Sequence, residues 1–153
     1  MSKQEEAELI LKLYDLRREP VMRDARNWFF TFNPIGIQDF VDVMLSDKSA
    51  YYRMVVSYWE MAAALVNHGA IDETLFNDAN GEHVFVYSKI QPFIPQLKEA
   101  FSLPEYLPNF EKLVLRIPDI DKRLSSIRER MKQLAELREQ HAAKVRAAGG
   151  AEG

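Results

Sequence analysis

Apolar residues recur at helical spacing along nearly the whole chain, with charged residues between them and prolines at the breaks. Over residues 4–18, Leu9, Leu13 and Leu16 share a face, with Ile10 and Tyr14 beside them. Pro20 suits the first turn of a second helix, whose stripe is Val21, Ala25, Trp28, Phe29 and Phe32. Asn33-Pro34 stops it, because the residue before a proline is steered out of the α region. Ile37, Phe40, Val41, Met44 and Leu45 come next at i, i+3, i+4, i+7 and i+8 and predict a short third helix.

Residues 49–68 carry the strongest signal. Ser49 fits an N-cap and Gly69 fits the left-handed position just past a helix end. Between them Tyr51, Tyr52, Met54, Val55 and Val56, then Tyr58, Trp59, Met61, Leu65 and Val66, cover most of the circumference with apolar side chains. A helix of that kind is enclosed by other helices. Ile71-Asp72-Glu73 begins a helical turn through Phe76, and Asn77-Asp78-Ala79-Asn80-Gly81 has loop chemistry. Val84-Phe85-Val86-Tyr87 suits a strand or a helix. With no partner strand in the sequence, residues 82–101 are expected to be helical and broken near Pro92, with Pro95 in the first turn of the helix after the break.

Residues 105–117 form another amphipathic stretch, with Tyr106, Phe110, Leu113 and Val114 on its stripe. After Pro118, the residues Ile120, Leu124, Ile127, Met131, Leu134, His141 and Val145 approximate a seam that Arg138 interrupts. This predicts a final helix over about residues 119–147, ~42 Å long, with residues 149–153 unstructured. The fold expected is all-α. It is an irregular bundle around the central helix 49–68, with one long C-terminal helix and with residues 1–148 as a single domain.

Composition narrows the function. The 153 residues are 47% apolar and contain no cysteine, which excludes disulfides and thiolate metal sites. Met1-Ser2-Lys3-Gln4-Glu5-Glu6 is charged where a secretory signal is apolar, and no run approaches a membrane span, so a cytoplasmic protein is expected. The net charge of −3 is uneven: residues 20–115 carry seven basic and twelve acidic groups, residues 116–153 nine and six. A mildly basic tail on an acidic body is a poor nucleic-acid footprint. The opposite signs would equally suit contact between the tail of one copy and the body of another, and the charge alone decides for neither.

Chemistry-bearing residues are few. Arg53, Ser57, Glu60 and Asn67 stand at i, i+4, i+7 and i+14 on the central helix, so its polar groups make one narrow stripe. A buried Glu60 would need a partner from elsewhere, such as Arg23, Arg26 or His83. The stripe reads either as a ligand-binding or acid–base site or as a structural pair that fixes helix register. Glu60, Asn67, His68, Glu82 and His83 are the candidate ligand-site residues. Asp78 would join them if they held a metal, but no metalloprotease or di-iron spacing is present. A calcium loop aligned on Gly81 would put Phe76 and Tyr87 where oxygen ligands are required. No metal and no cofactor is therefore assigned. Arg17, Arg18, Arg23 and Arg26 would bind phosphate, or would serve the end of the first helix and pair with Glu19 and Asp24. No nucleophile elbow or phosphate-binding glycine loop occurs.

The apolar seam of the last helix must be covered, either by a second copy or partner helix or by folding back across its own bundle. The leading expectation is a self-associating interaction module without catalytic activity, a homodimer built through Leu124, Ile127, Met131 and Leu134 of that helix. The alternative is a small-ligand or metal site centred on Glu60.

Tyr58-Trp59-Glu60, the run from Asn67 to Phe76, the run from Val86 to Ile94 and Glu111-Lys112-Leu113-Val114 together resemble a bacterial family catalogued as domain of unknown function 4760. The resemblance spans about residues 50–115, and Tyr87 and Lys98 stand where the family pattern has tryptophan and arginine. It implies a helical fold and supplies no reaction.

Overall fold

The computed structural model describes residues 2–151. Among them every regular element is helical: α1 (Lys3–Arg17), α2 (Pro20–Thr31), α3 (Ile37–Met44), α4 (Ser49–Asn67), α5 (Glu73–Ala79), α6 (Glu82–Ile90), a 3-10 turn (Gln91–Phe93), α7 (Ile94–Ala100), α8 (Pro108–Leu115) and α9 (Ile120–Ala151). The all-α bundle with a long C-terminal helix is as the periodicity predicts. Val84 to Tyr87 are helical, because their side chains enter a helical core that offers no strand edge to pair with.

α4 is the axis of the bundle. It packs against α2 on one side and α8 on the other, while α6 lies between α8 and α9. Tyr52, Val55, Trp59, Ala62, Ala63 and Val66 are buried along α4, with Trp59 1% exposed. One apolar cluster joins Ile10 and Leu13 of α1 to Phe29, Phe40, Phe76, Leu97, Phe110 and Leu124 of the successive helices. Aromatic rings form much of it, with Phe29, Phe32, Phe40 and Tyr52 meeting edge-on or stacked at centroid distances of 5.3–6.2 Å.

The helix ends follow local chemistry. Ser2 and Glu5 close a capping box on α1, and Glu19 accepts from the amides of Val21 and Met22 to start α2 ahead of Pro20. α4 ends in a Schellman motif: Gly69 lies at φ 83°, its N–H reaches Val66, and the N–H of Ala70 reaches Leu65. Three expectations are corrected. Ser49 is the first helical residue and Lys48 holds the cap position, without a side-chain bond. Asn77, Asp78 and Ala79 belong to α5 and not to a loop, because Asp72 caps that helix at its start and its last turn closes on Asn80. α9 runs on through Gly149 and Gly150 to Ala151, since two glycines lower helix propensity by about 1 kcal/mol each without forcing a stop. The last two residues of the expected unstructured tail lie outside the described residues.

Candidate functional site

Of the polar stripe on α4, Glu60 and Asn67 meet α8, while Arg53 and Ser57 are exposed, Ser57 bonding carbonyls of its own helix. Glu60 lies half-buried, and each of its carboxylate oxygens accepts one backbone N–H, from Asn109 and from Phe110, both at 2.8 Å. Those two amides are in the first turn of α8. Pro108 has no N–H to offer, and the residue at the cap, Leu107, is left-handed (φ 51°, ψ 56°) and makes no side-chain cap. Glu60 therefore caps α8 from another helix, where a carboxylate also complements the helix dipole. One turn-pair further along, the Asn67 amide donates to the backbone and side-chain oxygens of Asn109. Arg116 at the far end of α8 reaches Asn67 and pairs with Glu73. None of the expected partners Arg23, Arg26 and His83 approaches Glu60, because α8 occupies that side.

Glu82 and His83 lie elsewhere, at the start of α6 against α1 and α2. Glu82 accepts from Arg26 Nε through both oxygens at 3.1 Å and from Arg17 at 3.3 Å. Arg17 is buried, its second nitrogen reaches Asn80, and its guanidinium lies over the Trp59 ring at 5.3 Å. Arg26 also donates to the carbonyl of Arg17 at the end of α1. The arginine cluster is thus divided: Arg17 and Arg26 clamp Glu82, and Arg23 bonds the carbonyl of Arg18. The pairing of Arg26 with Glu19 or Asp24 is corrected, because Glu19 is occupied as the α2 cap. His68 follows Asn67 at the C-cap of α4, where it is exposed and, among the described residues, joins neither group by a side-chain hydrogen bond. Among the described residues no three histidine or acidic side chains gather as a metal would require.

His83 is 1% exposed between Trp59 and Phe76, with Nε2 at 2.9 Å from the Asn77 side-chain oxygen. Burial, aided by the positive charges of Arg123 and Arg17, lowers its pKa to about 4. The unfolded chain takes up this proton near pH 6.5 and the folded one only near 4, so stability falls as pH drops through that window. A loss of about 3 kcal/mol is expected between those limits. Urea titrations at pH 6.5 and 4.5 should show His83→Gln with a visibly shallower decline than the wild type, and equal slopes would refute the assignment. Nδ1 of His83, Nε of Arg17 and Nε1 of Trp59 are buried without a hydrogen-bond partner among the described protein atoms, so this polar pocket of the core is under-satisfied.

Lys89 lies in the run from Val86 to Ile94 but is not among the candidate site residues, yet it holds two helices together. Its ammonium is buried on α6 and donates to the carbonyls of Phe29, Phe30 and Phe32 at 2.7–2.9 Å, closing the C-terminus of α2. Burial, then the charge of Arg138, pushes it down to about 7, and each of its three N–H groups meets one carbonyl acceptor. The signal in the sequence is a single lysine inside the otherwise uncharged run from Val84 to Ile94.

The seam of α9 meets its own bundle first. Leu124 is 0% exposed and Ile127 is buried with it in the core, while Met131 and Leu134 are half-buried. Arg138 still touches the bundle, over the Phe30 ring at 4.9 Å. Leu137 and Val145 are 60% and 56% exposed.

The model of one family, Domain of unknown function (DUF4760), matches residues 4–117. The chain belongs to that family. The DUF4760 match takes in α1 to α8, including the Glu60–α8 cap and the Arg17–Glu82 clamp, and reaches further toward the N-terminus than the motifs around Glu60 alone imply. No curated protein and no solved structure matches the chain. No helix among the described residues is long and apolar enough to cross a membrane.

Proposed function

We propose that this DUF4760 protein is a cytoplasmic interaction module that self-associates, the outer part of α9 of one copy lying on the body of another. The exposed end of the α9 stripe carries this reading. Leu134, Leu137, His141 and Val145 stand at i, i+3, i+7 and i+11, so they continue the line of Ile120, Leu124 and Ile127 past the point where the bundle covers it. Leu124 and Ile127 serve the chain's own core, so the contact begins at Leu134. Charge favours a second copy as the occupant: residues 132–148 carry four basic and two acidic groups, against the surplus of five acidic groups over residues 20–115. A two-fold exchange would let each body receive the other's helix. The polar residues that look catalytic in the sequence are engaged as caps and clamps between helices, which favours a binding role over a chemical one.

Light scattering on the eluting protein at tens of micromolar should give the mass of two chains. Leu137→Glu combined with Val145→Glu, both on exposed positions, should return it to one. High salt should weaken the dimer, because the attraction between tail and body is screened. A wild-type protein of one-chain mass under these conditions would discard the reading.

A further inference from the structure

A groove of about 340 Å³ runs beneath the middle of α9. One wall is the α2–α3 loop and the turn after α6, with Pro34, Ile35, Pro92 and Phe93; the other is Met131 and Ala135 of α9. Its surface is mainly apolar, and Ile35 beside it is 93% exposed. Every charged side chain that lines it is basic: Lys89 in the floor, Arg128 and Lys132 at the edge. Arg128 uses one terminal nitrogen on the Ser88 carbonyl and the Gln91 amide oxygen. Among the described residues neither Arg128 nor Lys132 is paired with a carboxylate. In a chain of net charge −3, an oily groove whose charged lining side chains are all cations is a local inversion of sign, the nearby Asp39 carboxylate being taken up by the Ile35 and Gly36 amides.

From this we infer that the groove binds a small amphiphilic carboxylate. The hydrocarbon body would lie against Ile35, Phe93, Met131 and Ala135. The head would meet the unused guanidinium nitrogens of Arg128 and the Lys132 ammonium, a charge-assisted contact at a partly desolvated edge. Lys89 contributes potential alone, since its three N–H groups are committed to α2. The volume, at about 30 Å³ per small group, accommodates a body of roughly ten heavy atoms and sits at the low end for ligand sites. Self-association is assigned to the apolar line Leu134, Leu137, His141 and Val145, none of which lines this groove, although Lys132 adds to the charge of both.

Decanoate, below its micelle-forming concentration, is the probe, with decanol and decyltrimethylammonium as controls of equal chain length. Titration calorimetry and methyl shifts at Met131 and Ala135 are the readouts. Decanoate should bind about tenfold or more tightly than decanol, and the cationic amphiphile should not bind. Lys132→Gln, on an exposed residue, should weaken decanoate about three- to fivefold, and Arg128→Gln about tenfold, with decanol unchanged. Ala135→Phe, which fills the groove from an exposed position, should abolish binding of both. Equal binding of the three amphiphiles, or shifts that bypass Met131 and Ala135, would overturn the proposal. So would a wild type indifferent to decanoate; a dimer mass that then falls on Ala135→Phe would assign the groove to a second copy.

Discussion

Replacing Lys89 with methionine is expected to destabilise the protein by about 3 kcal/mol, because the acceptors it serves remain buried. That corresponds to a fall in melting temperature of roughly 6–12 °C for a chain of this size. Methionine reproduces the aliphatic stem, so packing among Phe29, Phe30 and Phe85 changes little. The loss lies in the end of α2. Phe29 keeps the Phe32 amide as a donor to its carbonyl, but the carbonyls of Phe30 and Phe32 are left with no replacement partner from Lys89. Exchanging a whole buried polar group for apolar residues can be neutral; removing only its donor is not. Urea unfolding followed by circular dichroism measures the difference, and a change below about 0.5 kcal/mol would mean that α2 needs no ammonium at its end.

Glu60→Ala has the next largest expected effect, about 2–3 kcal/mol, since two charge-assisted hydrogen bonds and a helix cap disappear together. Partial exposure keeps the figure below that of a fully buried carboxylate. Glu60→Gln retains one acceptor oxygen and should lose about half as much. Amide hydrogen exchange gives the specific readout: the Asn109 and Phe110 N–H groups should lose protection in both variants, more in alanine, while amides in the middle of α4 keep theirs. Unchanged protection at those two positions would remove Glu60 from its role as the cap of α8.

The helices are largely legible in the sequence because each signal is local. Pro20, Gly69, Pro95 and the spacing of Val55, Trp59 and Val66 act within a turn or two, and the backbone obeys them, whereas the stretch read as a helix over residues 105–117 is helical only from Pro108 to Leu115. Boundaries slip where a distant or neighbouring group supplies what the local residue does not. Ser49 is not needed as a cap, and Asp72 extends α5 through residues whose composition suits a loop. The polar stripe on α4 is also legible, but not its object. Glu60 answers two amides 49 and 50 positions away, and nothing near either segment marks the other. The grouping of Glu60 with Glu82 and His83 rests on their shared residue types, yet Glu60 is held by α8 on one side of α4, while Glu82 is held by Arg17 and Arg26 of α1 and α2. Lys89 stays hidden for a related reason: a lone cation in an apolar helix is visible, but the carbonyls that tame it belong to α2. Along α9, spacing identifies the apolar line through Leu124 and Ile127 without telling which surface covers it.

The family match stops at residue 117, and α9 begins at Ile120. Yet Ile120, Leu124 and Ile127 are what shields the outward side of α6. The hallmark of kinship and the lid of the core are therefore written in different parts of the chain. Severed at the hallmark's edge, this protein would keep its signature but bare an adhesive strip along α6, and solubility would fail before recognition did.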